Sequence, residues 1–212
     1  MKLIDIINEG PRDPNIFKAI FTAGIPGSGK TTIVKKLTAG TGMKMVSFDE
    51  LYEYLLKRGS DEDNIALNKS SHLIDTKFST YLDGRLGIVV DKTSWDYNRV
   101  SNIKEQLESL GYDTLMIYVN TDINVAKQRA KNRFQSTGRH VDDEYIDSVF
   151  KKLSGNLGKY QQEFSDRFII IDNTVDNTNL DQLTQFAQKK IDRFLNARPV
   201  NQTAIRWIDD HR

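Results

Sequence analysis

The sequence predicts an α/β fold: a five-stranded, mostly parallel sheet covered by helices on both faces, an αβα sandwich of three layers. Three observations predict it. Five short segments are apolar almost throughout, as strands buried on both sides must be. Segments of helical period alternate with them, the order that builds parallel sheets from strand–helix–strand units. The chain has 212 residues and no cysteine; a chain of this length buries roughly 70% of its unfolded surface and needs no disulfide or structural metal.

The elements follow in order. Met1 to Ile7 is a short amphipathic segment stopped by Gly10-Pro11 and Asp13-Pro14, so residues 1–15 are expected to form an arm. Ala19 to Ala23 reads as a strand, Gly24 to Gly29 as a glycine-rich turn, and Lys30 to Leu37 as a helix. Lys44 to Ser47 is the second strand; beyond Asp49, the positions Leu51, Tyr54 and Leu55 have helical spacing. Thr76 to Tyr81 lies in a helical stretch, and Leu86 to Val90 is a third strand ending at Asp91. Asn102 to Leu110 is an amphipathic helix stopped by Gly111. Thr114 to Val119 is the fourth strand, and a helix follows from Ile123 to Phe134. Val141 opens a longer helical region, Phe168 to Ile171 is the fifth strand, and Leu180 to Leu195 is the last clear helix. One body over 16–196 is expected, with a tail over 197–212 that Trp207 would dock.

Composition excludes several classes. With 30 Lys+Arg against 29 Asp+Glu the net charge is +1, which argues against bulk electrostatic coating of nucleic acid but leaves room for a local basic patch. The absent cysteines remove thiol nucleophiles, Cys-ligated zinc and iron–sulfur clusters. The three histidines, His72, His140 and His211, lack metal-type spacing and read as surface or capping residues. No apolar stretch approaches the roughly 18–20 residues of a membrane span, and the acidic N-terminal segment is unlike a signal peptide.

Chemistry concentrates at Gly24-Ile25-Pro26-Gly27-Ser28-Gly29-Lys30-Thr31, which fits G-x-x-x-x-G-K-[ST] in full between a strand and a helix. Glycines let such a loop turn its N–H groups inward around an anion, Lys30 sets a cation beside the β- and γ-phosphates, and the Thr31 hydroxyl can ligate Mg²⁺. The following helix adds its N-terminal dipole. A guanine-specific switch would need N-K-x-D, and Asn68-Lys69 is followed by Ser70-Ser71. Ligands of open parallel sheets bind beyond the carboxyl ends of the strands, where Asp91 could hold a metal and Asp49 could accept a hydroxyl proton, cap a helix, or do both. Between Asp122 and Arg139 lies a Lys/Arg cluster. Arg129 and Arg133 share a helical face, and by charge alone a solvated basic face is the simpler reading. Trp95 either stacks on a base or sugar, or packs on the sheet edge.

These residues, with Val89-Val90-Asp91-Lys92-Thr93-Ser94, Asn98-Arg99, Arg129 to Arg133, Thr137 to Val141 and Ile169 to Asn173, resemble the kinase group of phage-type polynucleotide 5′-kinases and zeta-toxin-like kinases, P-loop proteins of adenylate-kinase-like fold. The resemblance implies ATP and Mg²⁺ as cofactors and γ-phosphoryl transfer to a hydroxyl of a polynucleotide 5′ end or nucleoside-type acceptor; a nucleotide sugar or other small molecule is the alternative. It implies Lys30, Asp49, Arg129 and Arg133 as catalytic, with Arg133 on the transferring phosphate. Gly24, Pro26, Gly27, Ser28, Gly29, Lys30, Thr31, Thr32, Arg133 and Arg139 would bind the nucleotide, and Thr31 with Asp91 the metal. It further implies a lid over about 134–160 and a cytoplasmic site of action, the host's if the gene is a phage's. The family's D-x-T-N is Asp91-Lys92-Thr93-Ser94 here, and Gly59 to Lys77, where such kinases build the acceptor pocket, matches no pattern. A non-catalytic ATP-binding interaction protein, docking a partner through its ends, is the competing class; a motor-type ATPase lacks the length.

Overall fold

A computed structural model of the chain describes residues 15–47, 49, 51, 63–174 and 180–211. The expected arm, but for Asn15, and the helix expected after Leu51 lie outside them. Five strands form one sheet: β1 (Lys18–Ala23), β2 (Lys44–Ser47), β3 (Ile88–Asp91), β4 (Asp113–Asn120) and β5 (Phe168–Asp172). Their order is β2-β3-β1-β4-β5. The expected sandwich is present with one refinement: every pairing is parallel. All six residues of β1 are buried, as its central place requires, whereas the edge strand β5 exposes Ile170 and Asp172.

The helices are α1 (Lys30–Leu37), α2 (Asp63–Asp83), α3 (Tyr97–Ser109), α4 (Ile123–Thr137), α5 (Asp143–Phe164), α6 (Leu180–Asn196) and α7 (Gln202–Asp210). The strand period of two sends alternate β1 residues to opposite faces. Ala19, Phe21 and Ala23 pack with Val100 and Leu107 of α3, Ile146, Leu153 and Tyr160 of α5, and Ala204 of α7. Ile20 packs on the other face with Ile33, Val34 and Leu37 of α1 and Ala187 and Ile191 of α6. Phe17, Phe21 and Phe168 are core, as their positions predict.

α3 begins five residues earlier than its apolar spacing indicates, because the Asp96 carboxylate accepts the Arg99 N–H at 3.2 Å and caps an N-terminal turn that buries only Val100. α4 starts on an Asp122 cap, bonded to the Asn124 and Val125 N–H groups, and ends at Gly138 in the left-handed conformation. No helix among the described residues is long and apolar enough to cross a membrane.

Candidate active site

β1 delivers the chain into the glycine-rich loop, and α1 leads it away. Gly27 has φ 83°, and a Cβ there would sit 2.1 Å from the Ala126 carbonyl oxygen; at Gly29, φ 82°, it would sit 2.6 Å from Asn173 Nδ2. The loop is thus pressed against the first turn of α4 and the end of β5 at positions only glycine can fill. From behind, Thr121 Oγ1 and Asn173 Nδ2 donate to the Ser28 carbonyl at 3.2 and 2.8 Å, and the Gly24 N–H donates to the Thr93 carbonyl at 3.2 Å.

Lys30 is 6% exposed. Its ammonium has no hydrogen bond or ion pair among the described residues, and the buried Ser28 hydroxyl has no hydrogen-bond partner there either. Burial pushes the Lys30 pKa below its ordinary value; Asp91 and Asp49 pull it back, and Arg139 and Arg133 depress it further. A desolvated cation without a direct partner is costly, and a bound phosphate removes that cost. The loop therefore fits a nucleotide's phosphates.

Asp91, at the end of β3, forms the floor. Its Oδ2 accepts from Thr31 Oγ1 at 2.7 Å and from Ser47 Oγ at 3.1 Å, and its Oδ1 accepts from Thr22 Oγ1 at 2.8 Å. No group of three His, Asp or Glu residues that could hold a metal occurs among the described residues. Thr31 and Asp91 offer only oxygen donors, the ligand type that Mg²⁺ takes.

Asp49 stands at the side of this floor, and Arg139 Nη2 reaches its Oδ1 at 2.7 Å. The other two arginines serve different places. Arg129 Nη1 donates to the Asn173 carbonyl at 3.0 Å, behind the loop, whereas Arg133 acts electrostatically on Lys30. Thr32 is exposed on the first turn of α1. A cavity of about 510 Å³ opens beside the loop, lined by Pro26, Asp49, Asp91, Lys92, Trp95 and Arg139 among others. α2 contributes Ser71, Ile74 and Asp75 to the wall, so part of the stretch that matches no pattern faces the site. Trp95 lines the cavity with its ring under Lys152 Nζ, 3.9 Å from the centroid.

The family model described as Zeta toxin matches residues 9–184. The chain belongs to the Zeta toxin family. No curated protein sequence matches it. Among solved structures, a putative kinase from Chloroflexus aurantiacus is similar at 14% identity and TM-score 0.54, covering 84% of this chain and 97% of that one. The PezAT chromosomal toxin–antitoxin system of Streptococcus pneumoniae is similar at 12% identity and TM-score 0.53, covering 84% and 86%. A chain of the Pnkp1/Rnl/Hen1 RNA repair complex aligns at 16% identity and TM-score 0.55 over 68% of this chain and 46% of that one, so this Zeta toxin family member spans less than half of that neighbour. At these identities the likeness shows the fold, a kinase-like P-loop fold.

Several residues that organise this Zeta toxin family site escape the sequence patterns. Thr22 and Ser47 both hold Asp91. Ser94, at φ 56°, donates to the Thr22 carbonyl at 2.6 Å and accepts, through its own carbonyl, from Tyr160 at 2.6 Å. The signal for Thr22 is available in retrospect: a hydroxyl inside a strand buried along its whole length needs a buried partner.

Proposed function

We propose that the chain is an ATP- and Mg²⁺-dependent kinase that moves the γ-phosphoryl group to the hydroxyl of a nucleoside-type acceptor, free or at a polynucleotide 5′ end. The observation that carries this reading is that Asp49 and Asp91 line one cavity, with Thr31 bonded to Asp91 and Lys30 buried behind it without a hydrogen bond or ion pair among the described residues. ATP supplies the phosphoryl group. Lys30 and the loop N–H groups hold its phosphates, and Thr31 and Asp91 hold Mg²⁺. Asp49 accepts the hydroxyl proton once Arg139 moves off it, and Arg133, beside Lys30, offsets charge that develops on the transferring group. Arg129 supports the loop through Asn173.

A nucleotide sugar or other small molecule is the second acceptor reading. It is favoured by the cavity's volume of about 510 Å³, which lies within the roughly 300–1,000 Å³ of small-molecule sites. Of the two features that favour the interaction-protein reading, the N-terminal arm and the Trp207 tail, the second is occupied within the chain, because Trp207 meets Phe17 edge to face at 5.4 Å.

Incubation with γ-labelled ATP and a panel of 5′-OH oligonucleotides, nucleosides and nucleotide sugars tests the proposal. Label should pass to one class and disappear in Lys30→Ala. Asp49→Asn should still bind ATP while transfer falls by about 10²–10⁴-fold. Full transfer by Asp49→Asn would remove Asp49 from its role, and no label in any acceptor would favour a binding protein.

A further inference from the structure

Asn173 is the first residue beyond β5, and its backbone is bonded on both sides. Its N–H donates to the Asn120 carbonyl at 2.8 Å, and its carbonyl accepts Arg129 Nη1 at 3.0 Å. The residue is buried, so its side chain meets the loop from a fixed base. Nδ2 donates to the Ser28 carbonyl at 2.8 Å. Thr121 Oγ1 reaches the same carbonyl at 3.2 Å, but its single proton is divided with the nearer Asn120 carbonyl at 2.7 Å. The Asn173 amide is therefore the main hold on Ser28.

What that hold does follows from the geometry of a peptide. The Ser28–Gly29 bond is trans, and in a trans peptide the C=O and N–H point in opposite directions. A carbonyl drawn back toward Asn173 sends the Gly29 N–H forward to the inner side of the loop, where it has no hydrogen bond among the described residues. The reverse orientation would turn the Ser28 carbonyl oxygen inward and repel an anion. Glycine makes such a flip easy, because the residue after the peptide then accepts either sign of φ. Yet glycine is required, since a Cβ at Gly29 would lie 2.6 Å from Asn173 Nδ2. The side chain that imposes the flexible residue also holds its peptide.

We infer that Asn173 is a positioning residue for nucleotide binding: from outside the loop it sets the Gly29 N–H toward the phosphates. The inference rests on the phosphotransfer reading of the loop and deepens it, because a residue 145 positions beyond Ser28 then governs nucleotide affinity.

The test uses the full chain as wild type, as Asn173→Ala and as the size-matched Asn173→Leu, each first shown to be folded by circular dichroism. Calorimetry with Mg²⁺ and non-hydrolysable AMP-PNP should give an affinity about tenfold weaker in the variants, the effect of one lost hydrogen bond. A loosened fold would weaken binding as well, so ¹⁵N–¹H spectra supply a separate readout. In the ligand-free variants the Gly29 amide should be broadened by exchange between two peptide orientations, while the Ile33 amide of α1 stays sharp, and saturating AMP-PNP should relieve the broadening. An affinity within about twofold of the wild type in a folded variant overturns the role, and so does a loss of affinity without broadening at Gly29. A wild-type chain that does not bind AMP-PNP overturns the kinase reading instead, and the ligand-free spectra still decide whether Asn173 sets the peptide.

Discussion

Thr22 carries one hydroxyl into a strand with no exposed residue, and that oxygen serves three groups on two residues. It donates to Asp91 Oδ1 at 2.8 Å or to the Lys92 carbonyl at 3.0 Å, and it accepts the Lys92 N–H at 3.1 Å. Valine has the same shape without the oxygen. Thr22→Val should therefore lower stability by about 1–3 kcal/mol, the desolvation penalty of buried groups left unpaired, as read by denaturant unfolding, whereas Thr22→Ser should retain most of it. The contrast with the glycine-rich loop explains what was readable. The loop pattern is local: eight consecutive residues specify a backbone shape, and Gly27 and Gly29 sit where a side chain would strike Ala126 or Asn173. The Asp91 floor joins residues 69 and 44 positions away, Thr22 and Ser47, and no local period encodes such a meeting. Asp49 and Asp91 were legible from their place at strand ends; the Arg139–Asp49 pair was not, because it depends on how the segment after α4 folds back.

Among the elements, α7 is the one the sequence left unread. Its nine residues set Ala204, Trp207 and Ile208 at helical spacing against the core, but two turns are too short for that pattern to stand out in the sequence. Its placement is nonetheless specific. Ala204 packs so close to Gly111 that a Cβ on that glycine would lie 2.9 Å from the Ala204 nitrogen. Asn201 caps the helix, accepting the Thr203 N–H at 2.9 Å, and its amide donates to the Glu108 carbonyl at 2.9 Å. Trp207 meets Phe17 edge to face, and His211 stacks on the other end at 4.2 Å. Trp207→Ala should cost about 2–3 kcal/mol, less than the ~3–5 kcal/mol of a fully buried aromatic because the indole is half-buried. Thermal unfolding would register that loss, while ATP binding under native conditions should stay unchanged, since α7 packs on Phe17, Glu108 and Gly111, at the end of the sheet opposite the loop. The strands were readable for the opposite reason: runs such as Ile88–Val90 and Leu115–Val119 are apolar and buried throughout, as strands in a sheet covered on both faces are.

Across the whole molecule, chemistry gathers at the carboxyl ends of the strands, and the opposite end is fastened by charge. Lys18, at the start of β1, is 2% exposed and pairs with Asp113 at 2.7 Å, which Arg167 also reaches at 3.2 Å. The core has its own sensitivity to alkali. Burial raises the pKa values of Tyr112, Tyr118 and Tyr160 above the ordinary phenol value, with Asp96 and Glu163 adding to the effect at Tyr160. Below pH 10 these phenols are neutral in both states, so their full contribution to stability is present there. Above it the unfolded chain releases protons that the folded chain keeps, and stability falls. The expected slope is at most about 1.4 kcal/mol per pH unit for each tyrosine. Unfolding free energies measured from pH 9 to 11.5 should show this decline, and Tyr112→Phe should make it shallower.

One helix carries a consequence beyond packing. α5 holds the segment after β3 at three points: Tyr160 donates to the Ser94 carbonyl, Asn156 Nδ2 donates to the Trp95 carbonyl at 2.9 Å, and Lys152 covers the Trp95 ring. The loop entering the same helix brings Arg139 to Asp49. Both sides of the cleft are therefore tied to the same helix. If a ligand on one side displaces that helix, affinity on the other side changes, and by thermodynamic reciprocity the second ligand returns the same factor to the first. Cooperativity between ligands on the two sides would then be inherited from a single helix of 22 residues, without a second subunit and without a signal crossing the sheet.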